Sequence, residues 1–521
     1  DIRVIANAEP VLCPQQASQT AGLEGDEMVG QEDCLYLDIV APSDYASTRY
    51  PVMFWIHGGA NTSGHKGTYD FSALAERQKV VVVTINYRLG ALGWFTHPAL
   101  QAAAVGLDNS GNFGTLDIIA ALAWTQRNIA AFGGDANNVT IFGESAGGRN
   151  VYSMLVSPLS EGLFHKAIAQ SPTVQSFTPR QAFNAEKEFQ HLDRGAWEVV
   201  TSLGEDNSTI TASALRNVSA KTLINAYFSI DKEHAEPLIV NDGTVIPEQG
   251  LVAALADPRY AKTVPVMAGS NRDEVALWLG LNRYFVDADK LLFGLLPPKV
   301  NIKNPELFNY WVRQRARGWK VRAVDEPLMN LESAGYSDLY AYRFDWDEQD
   351  DNWFVPFSKV LGAAHATEIA FIMGAPMYGS VGEYMYPETD SAREMTAQMM
   401  GAWGAFAYKG EPGRVNGIDW PKFKTATPHT MVLDAGVDSS HVMLDSPGLD
   451  GLLLEVAETE SALDAEQTCI LVWELVTNVG DAVYGAYDDW QAGRCANLDV
   501  PAKKAAVRAA LTEQYGSPDL F

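Results

Sequence analysis

The sequence predicts an α/β fold, with a central mostly parallel sheet flanked by helices and large helical insertions capping one end. Three observations carry this expectation. The runs at 52–56 and 80–85 are almost continuously apolar, as strands buried on both faces are. A similar run at 139–142 leads straight into Gly143-Glu144-Ser145-Ala146-Gly147. Helical stretches alternate with these strands, the order that a parallel sheet with crossover helices requires.

Taken in order, 35–40 alternates apolar and polar residues and reads as an early, partly exposed strand. The buried strands at 52–56 and 80–85 follow. The stretch 117–128 has helical spacing, with Ile118, Ala121, Leu122 and Thr125 recurring along one side. After the strand at 139–142, the segments 167–169, 264–268 and 339–344 read as further sheet strands. The intervening 172–260 and 275–335 carry helical patterns without low-complexity linkers and read as insertions into one catalytic domain spanning 1–521. The stretch from about 445 to 521 reads as a C-terminal extension, acidic at first, then holding two cysteines and a basic, alanine-rich helix near 503–510.

The composition is that of a globular chain, 47% hydrophobic and 20% charged over 521 residues. The 38 basic and 65 acidic residues give a net charge of −27, a field that repels nucleic acid and anionic membrane surfaces. No apolar run reaches the roughly 18 residues of a membrane span. The opening Asp1-Ile2-Arg3-Val4 does not read as a secretory signal, which leaves open a signal removed upstream. Cys13 and Cys34 form an early pair, and Cys469 and Cys495 a late one, with no CxxC spacing. Two local disulfides and an oxidising compartment, secreted or periplasmic, are expected; a reduced chain with four free thiols is the alternative.

Ser145 is the candidate nucleophile. Its GxSxG sits between a strand and a helix-compatible run, which is the context of a strained nucleophile elbow, and its glycines keep bulky neighbours out of that turn. Glu144, inside the elbow, is expected to be buried against the site. Acyl transfer puts negative charge on a carbonyl oxygen, and one preorganised donor to it is worth on the order of 3 kcal/mol. His57-Gly58-Gly59-Ala60, after the strand at 52–56, can present backbone N–H groups there, and the Ala146 N–H completes the hole. Of the histidines that follow, His365 comes after Gly362-Ala363-Ala364, small residues that allow close approach to Ser145. His429 reads as an exposed loop residue and His441 as structural. Asp273 and Glu274 compete for the acid that orients the base.

Together these motifs resemble the type-B carboxylesterase and cholinesterase family. The resemblance also rests on Glu32-Asp33-Cys34-Leu35-Tyr36-Leu37, Asn86-Tyr87-Arg88-Leu89-Gly90, Phe132-Gly133-Gly134-Asp135, Gly269-Ser270-Asn271-Arg272-Asp273-Glu274, His365-Ala366-Thr367-Glu368-Ile369 and 403–412, and covers roughly 10–435. It implies an α/β-hydrolase fold and a serine carboxylesterase with Ser145 as nucleophile, His365 as base and Glu274 as acid. It further implies oxyanion donors at Gly59, Ala60 and Ala146, a Cys13–Cys34 disulfide, an Arg88–Asp117 ion pair, and support of Glu274 by Ser171. The substrate is a small-molecule ester, and neither a metal nor an organic cofactor is called for.

The chain departs from the pattern in three places. The arginine-bearing segment that the family carries ahead of the first cysteine is expected to be missing, removed or replaced, which leaves the partner of Glu32 open. The 13–34 loop has no tryptophan for cation–π contact with a choline, so cholinesterase activity is not expected. Ala60 and Asn61 replace a glycine and an aromatic residue, and Asn61 is expected to give the pocket a polar wall. The glycosylation patterns at Asn61, Asn138, Asn207 and Asn217 read as chance matches. The competing functions are a lipase, whose lid candidate is the apolar run at 291–296, and a non-catalytic binding relative.

Overall fold

The computed structural model describes residues 11–17, 25, 27–232, 234–289, 298–377, 379–459 and 463–520. The lid candidate at 291–296 and the opening residues lie outside them.

Among the described residues, nine strands form the central sheet. In chain order they are β1 (Leu37–Val40), β2 (Tyr50–Ile56), β3 (Val81–Ile85), β4 (Gly134–Glu144), β5 (Lys166–Gln170), β6 (Val266–Asn271), β7 (Leu339–Phe344), β8 (His429–Leu433) and β9 (His441–Leu444). Their spatial order is β1-β3-β2-β4-β5-β6-β7-β8-β9, and only the two edge pairs, β1 with β3 and β9 with β8, are antiparallel. The mostly parallel sheet expected from the apolar runs is therefore present. The last two strands were not: His429 opens β8 instead of lying in a loop, and His441 opens the exposed edge strand β9.

Alternate residues of each strand enter opposite cores, as the two-residue side-chain period requires. On one face Val52, Phe54, Ile56, Val81, Val83 and Ile141 pack with Ile118 and Leu122 of α1 (Phe113–Asn128) and with Val151, Tyr152 and Leu155 of α2 (Ala146–Val156). On the other, Met53, Trp55, Phe142, Ile168 and Met267 pack with Met395, Met399, Trp403 and Phe406. These last four belong to α5 (Asp390–Lys409).

The 275–335 insertion contributes α3 (Pro305–Lys320), a π-helical turn at Val321–Asp325 and α4 (Glu326–Ser333). The π turn presents the Ala323 carbonyl to the Tyr152 hydroxyl at 2.8 Å, which ties the insertion to the helix after Ser145. A third apolar cluster joins Phe308, Trp311 and Trp319 of this insertion to the C-terminal helices α6 (Gly448–Glu458) and α7 (Ala465–Thr477). The insertion and the C-terminal region thus share one core. Cys469 and Cys495, both in this cluster, are disulfide-bonded, as are Cys13 and Cys34. The expected alanine-rich helix is α8 (Val500–Tyr515). No helix among the described residues is long and apolar enough to cross a membrane.

Two glycines of the same type meet opposite surroundings. A Cβ at Gly147 falls 2.0 Å from the Ile56 carbonyl oxygen, whereas one at Gly401, inside α5, meets nothing within 4 Å. Gly147→Ala is expected to lower stability by about 2 kcal/mol through overpacking. Gly401→Ala is expected to raise it by about 0.5–1 kcal/mol through helix propensity. Urea unfolding of the two variants beside wild type checks both signs.

Candidate active site

The site forms where β2, β4, β6 and the 361–365 loop end together. Register carries β2 and β4 side by side as far as Ile56 opposite Gly143, so the two chain reversals that follow them start at the same level. After β4 the chain turns through Ser145 at φ 58° and ψ −120° and enters α2. This backbone region costs an L-residue about 1–3 kcal/mol. The Ser145 N–H donates to the Gln170 carbonyl of β5 at 2.9 Å, which holds the turn against the sheet.

After β2, Gly59, Ala60 and Asn61 are three consecutive residues at positive φ, 97°, 57° and 62°. The loop is closed by the Thr62 and Ser63 N–H groups, both donating to the Gly59 carbonyl at 3.0 Å. Only glycine fits at Gly59, where a Cβ would lie 2.2 Å from the Ser63 carbonyl oxygen. At Gly58 a Cβ would lie 2.8 Å from Glu144 Oε2 and 3.2 Å from Ser145 Cβ, so the loop rests directly on the elbow. Among the described residues the N–H groups of Gly59 and Ala60 have no acceptor. The Ala146 N–H opens α2 and has no partner within its helix. Among the described residues, the N–H groups expected to hold an oxyanion, on Gly59, Ala60 and Ala146, are therefore unspent.

Asn61 differs from expectation. Its side chain is fully buried and accepts from Asn150 Nδ2 at 2.9 Å and from the Tyr87 hydroxyl at 3.3 Å, so it braces the loop from beneath instead of walling the pocket. That burial also removes it as a glycosylation acceptor. His57 stacks on Tyr87 with ring centres 4.3 Å apart, and burial holds its pKa down at about 4. Arg88 grips Asp117 through two hydrogen bonds of 2.8 and 2.7 Å. Glu32 is exposed and makes no ion pair among the described residues.

Glu274 and His365 meet. Glu274 Oε2 lies 2.6 Å from His365 Nδ1, and Oε1 accepts the Asn271 N–H at 2.7 Å. The His365 N–H in turn donates to the Glu274 carbonyl at 3.1 Å. Asp273, the competing acid, pairs with Arg272 and accepts the Ala363 N–H at 3.1 Å, so it fixes the loop that carries His365. Ser171 is buried, but its hydroxyl has no hydrogen-bond partner among the described residues, Glu274 included. Asn271 gives that support through its backbone, and its side chain reaches Ala364 and Glu368 at 2.7 and 2.8 Å. Glu368 continues through Gln170 to the Trp403 indole.

The second imidazole nitrogen shows an arrangement not expected from the sequence. His365 Nε2 lies 3.0 Å from Glu144 Oε1, and the Ser145 hydroxyl has no hydrogen-bond partner among the described residues. Three buried carboxylates, Glu144, Glu274 and Glu368, surround one histidine. Burial alone would depress the imidazole, but the carboxylates outweigh it and raise His365 to about 9. Burial also pushes Glu144 up to about 8, partly offset by His365, and raises Glu368.

Two tryptophans that sequence reasoning missed complete the site. Trp278 and Trp319 each lie 5.0 Å from the His365 ring, and they stack on each other at 5.8 Å. Trp319 is fixed by its indole N–H, which donates to the Pro172 carbonyl at 2.8 Å, while Trp278 is 46% exposed. Trp278 follows Glu274 by four residues, a spacing that could have drawn attention to it. Trp319 arrives on an insertion helix and carries no comparable signal. Cavities of about 700 and 350 Å³ flank the Arg272-Asp273 turn and α3, away from Ser145.

A family model described as the carboxylesterase family matches 3–290 and 325–445. The chain is 31% identical to a para-nitrobenzyl esterase of Bacillus subtilis (strain 168) over 83% of its own length and 85% of the relative's. It is 32% identical to a fumonisin B1 esterase of Sphingopyxis macrogoltabida, with 77% and 73% covered. Among solved structures, a PNB esterase superposes with a TM-score of 0.63 at 29% identity, covering 84% of this chain and 86% of the other. A Geobacillus stearothermophilus carboxylesterase gives 0.60 at 28% identity, with 80% and 85% covered. A strained serine beside a loop with free N–H groups, on a sheet of this order, and matches of this length lead to one conclusion: the chain belongs to the carboxylesterase family and is a carboxylic ester hydrolase of the α/β-hydrolase fold.

Proposed function

We propose that the chain is a serine carboxylesterase working through an acyl-enzyme on Ser145. The observation that carries this reading is the strained Ser145 at the head of α2, beside a loop whose Gly59 and Ala60 N–H groups are unspent. In the mechanism, His365 Nε2 leaves Glu144 for the Ser145 hydroxyl as substrate binds, since such contacts tighten only with substrate in place. His365 takes the hydroxyl proton as Ser145 Oγ attacks the ester carbonyl. The N–H groups of Gly59, Ala60 and Ala146 hold the oxyanion, and Glu274 stabilises the imidazolium. The imidazolium protonates the leaving alcohol. A water molecule, deprotonated by the same imidazole, then releases the acid and restores Ser145. Trp278 and Trp319 wall the side from which the alcohol leaves, and the two disulfides suit a secreted or periplasmic enzyme.

Ser145→Ala is expected to lower kcat for p-nitrophenyl acetate by at least about 10⁴-fold while the protein stays folded. Activity retained within tenfold would remove Ser145 from the mechanism. The pH profile tests the electrostatics. A protonated His365 is not a base, so carboxylates that raise its pKa push the acidic limb of kcat/KM toward alkaline pH. Glu144→Gln removes one of these charges and is expected to move that limb acidward by about one unit for a neutral ester. A limb that does not move would exclude Glu144 as its cause.

A further inference from the structure

Arg149 is a buried charge that the mechanism above leaves unused. It lies in the first turn of α2, four residues after Ser145, and its N–H donates to the Ser145 carbonyl at 3.1 Å. The residue is only 7% exposed. Among the described residues its guanidinium makes no hydrogen bond and no ion pair, and Nε is sealed from solvent. An unpaired buried guanidinium is costly, and arginine keeps its proton where lysine would release it.

The acid whose charge reaches Arg149 is Glu236, but that carboxylate is spent elsewhere. Arg194 and Lys232 both pair with it, and the Tyr227 hydroxyl lies 3.3 Å from its Oε1. The other groups near the guanidinium are Tyr87 and Tyr227, polar but neutral. Tyr87 donates to the His57 carbonyl at 2.6 Å, directly beneath the loop that carries Gly59 and Ala60. Arg149 therefore keeps an uncompensated charge one turn of α2 beyond Ser145.

We propose that Arg149 determines specificity by pairing with a carboxylate on the acyl chain of the substrate, so that the preferred substrates are hemiesters of dicarboxylic or polycarboxylic acids. This rests on Ser145 as the nucleophile. The acyl carbon becomes attached to Ser145 at the head of α2, whereas the alcohol departs on the side of His365 and its two indoles. A residue one turn along α2 is thus placed for the acyl chain. One helical turn spans about 6 Å, the reach of a succinyl or glutaryl chain. Recognition must be local, because the net charge of −27 repels anions and salt screens charges beyond about 8 Å.

The test compares kcat/KM for monoethyl glutarate with that for its terminal amide, by ethanol release, in wild type, Arg149→Met and Arg149→Lys. Wild type is expected to prefer the acid by tenfold or more. Arg149→Met is expected to lose that preference and Arg149→Lys to retain part of it. Equal rates for acid and amide in wild type, or an unchanged preference in Arg149→Met, would overturn the proposal. Wild type alone gives a second measurement, free of folding effects. With p-nitrophenyl acetate as reporter, glutarate should inhibit competitively and glutaramide should not; equal inhibition, or none, would overturn the proposal. Folded wild type inert toward all three esters would overturn the serine esterase reading itself, whereas p-nitrophenyl acetate turnover without hemiester preference would overturn only the role of Arg149.

Discussion

The carbonyl oxygen of Ile56, at the end of β2, is the surface against which the nucleophile turn is set. A Cβ at Gly143 would lie 2.6 Å from it, and one at Gly147 2.0 Å. Only glycine on both sides of Ser145 lets β4 and the head of α2 come this close to β2. The same approach brings Gly58 onto Glu144 and Ser145, and with it the free N–H groups of the next two residues. Ser145 and the loop proposed to hold the oxyanion are therefore brought together by backbone packing, with Asn61 bracing that loop from beneath. Rigid backbone donors cost no reorganisation when charge develops, which is why this constraint serves acyl transfer.

Charge is the second organising element, and it depends on the first. Pressing the loop onto the elbow seals Glu144 against His365, beside Glu274 and Glu368. Burial raises the pKa of Glu144 and Glu368, and the carboxylates around His365 favour its protonated form. In the proposed mechanism that field stabilises the imidazolium formed during attack and penalises the neutral base that begins it. The indoles of Trp278 and Trp319 exclude water from one side and sharpen both effects.

Much of this was legible in the sequence, and the reason differs by element. The runs at 52–56, 80–85 and 139–142 are apolar because they are buried on both faces, so their identity as parallel strands survives without context. The GxSxG and HGGA stretches are legible because the backbone approach described above tolerates almost no other residues. His429–Leu433 was missed because a histidine after a proline suggests a turn, and His441–Leu444 because it is a short, exposed edge strand. The roles of Asn61, Trp319 and Arg149 were equally hidden. Asn61 turns inward because Asn150 and Tyr87 offer it partners, and Trp319 reaches His365 only through the fold of an insertion. Contacts made by insertions depend on packing that no local pattern records.

The central claim is that Ser145 is the reactive group, held beside the N–H groups of Gly59, Ala60 and Ala146 and served by His365. Reaction of the folded protein with an aryl alkylphosphonate, followed by peptide mass spectrometry, tests it directly, because the phosphonyl group mimics the tetrahedral intermediate. The account predicts a single adduct, on Ser145, formed together with complete loss of esterase activity. An adduct on another residue with activity lost, or full inactivation with Ser145 unmodified, would contradict it.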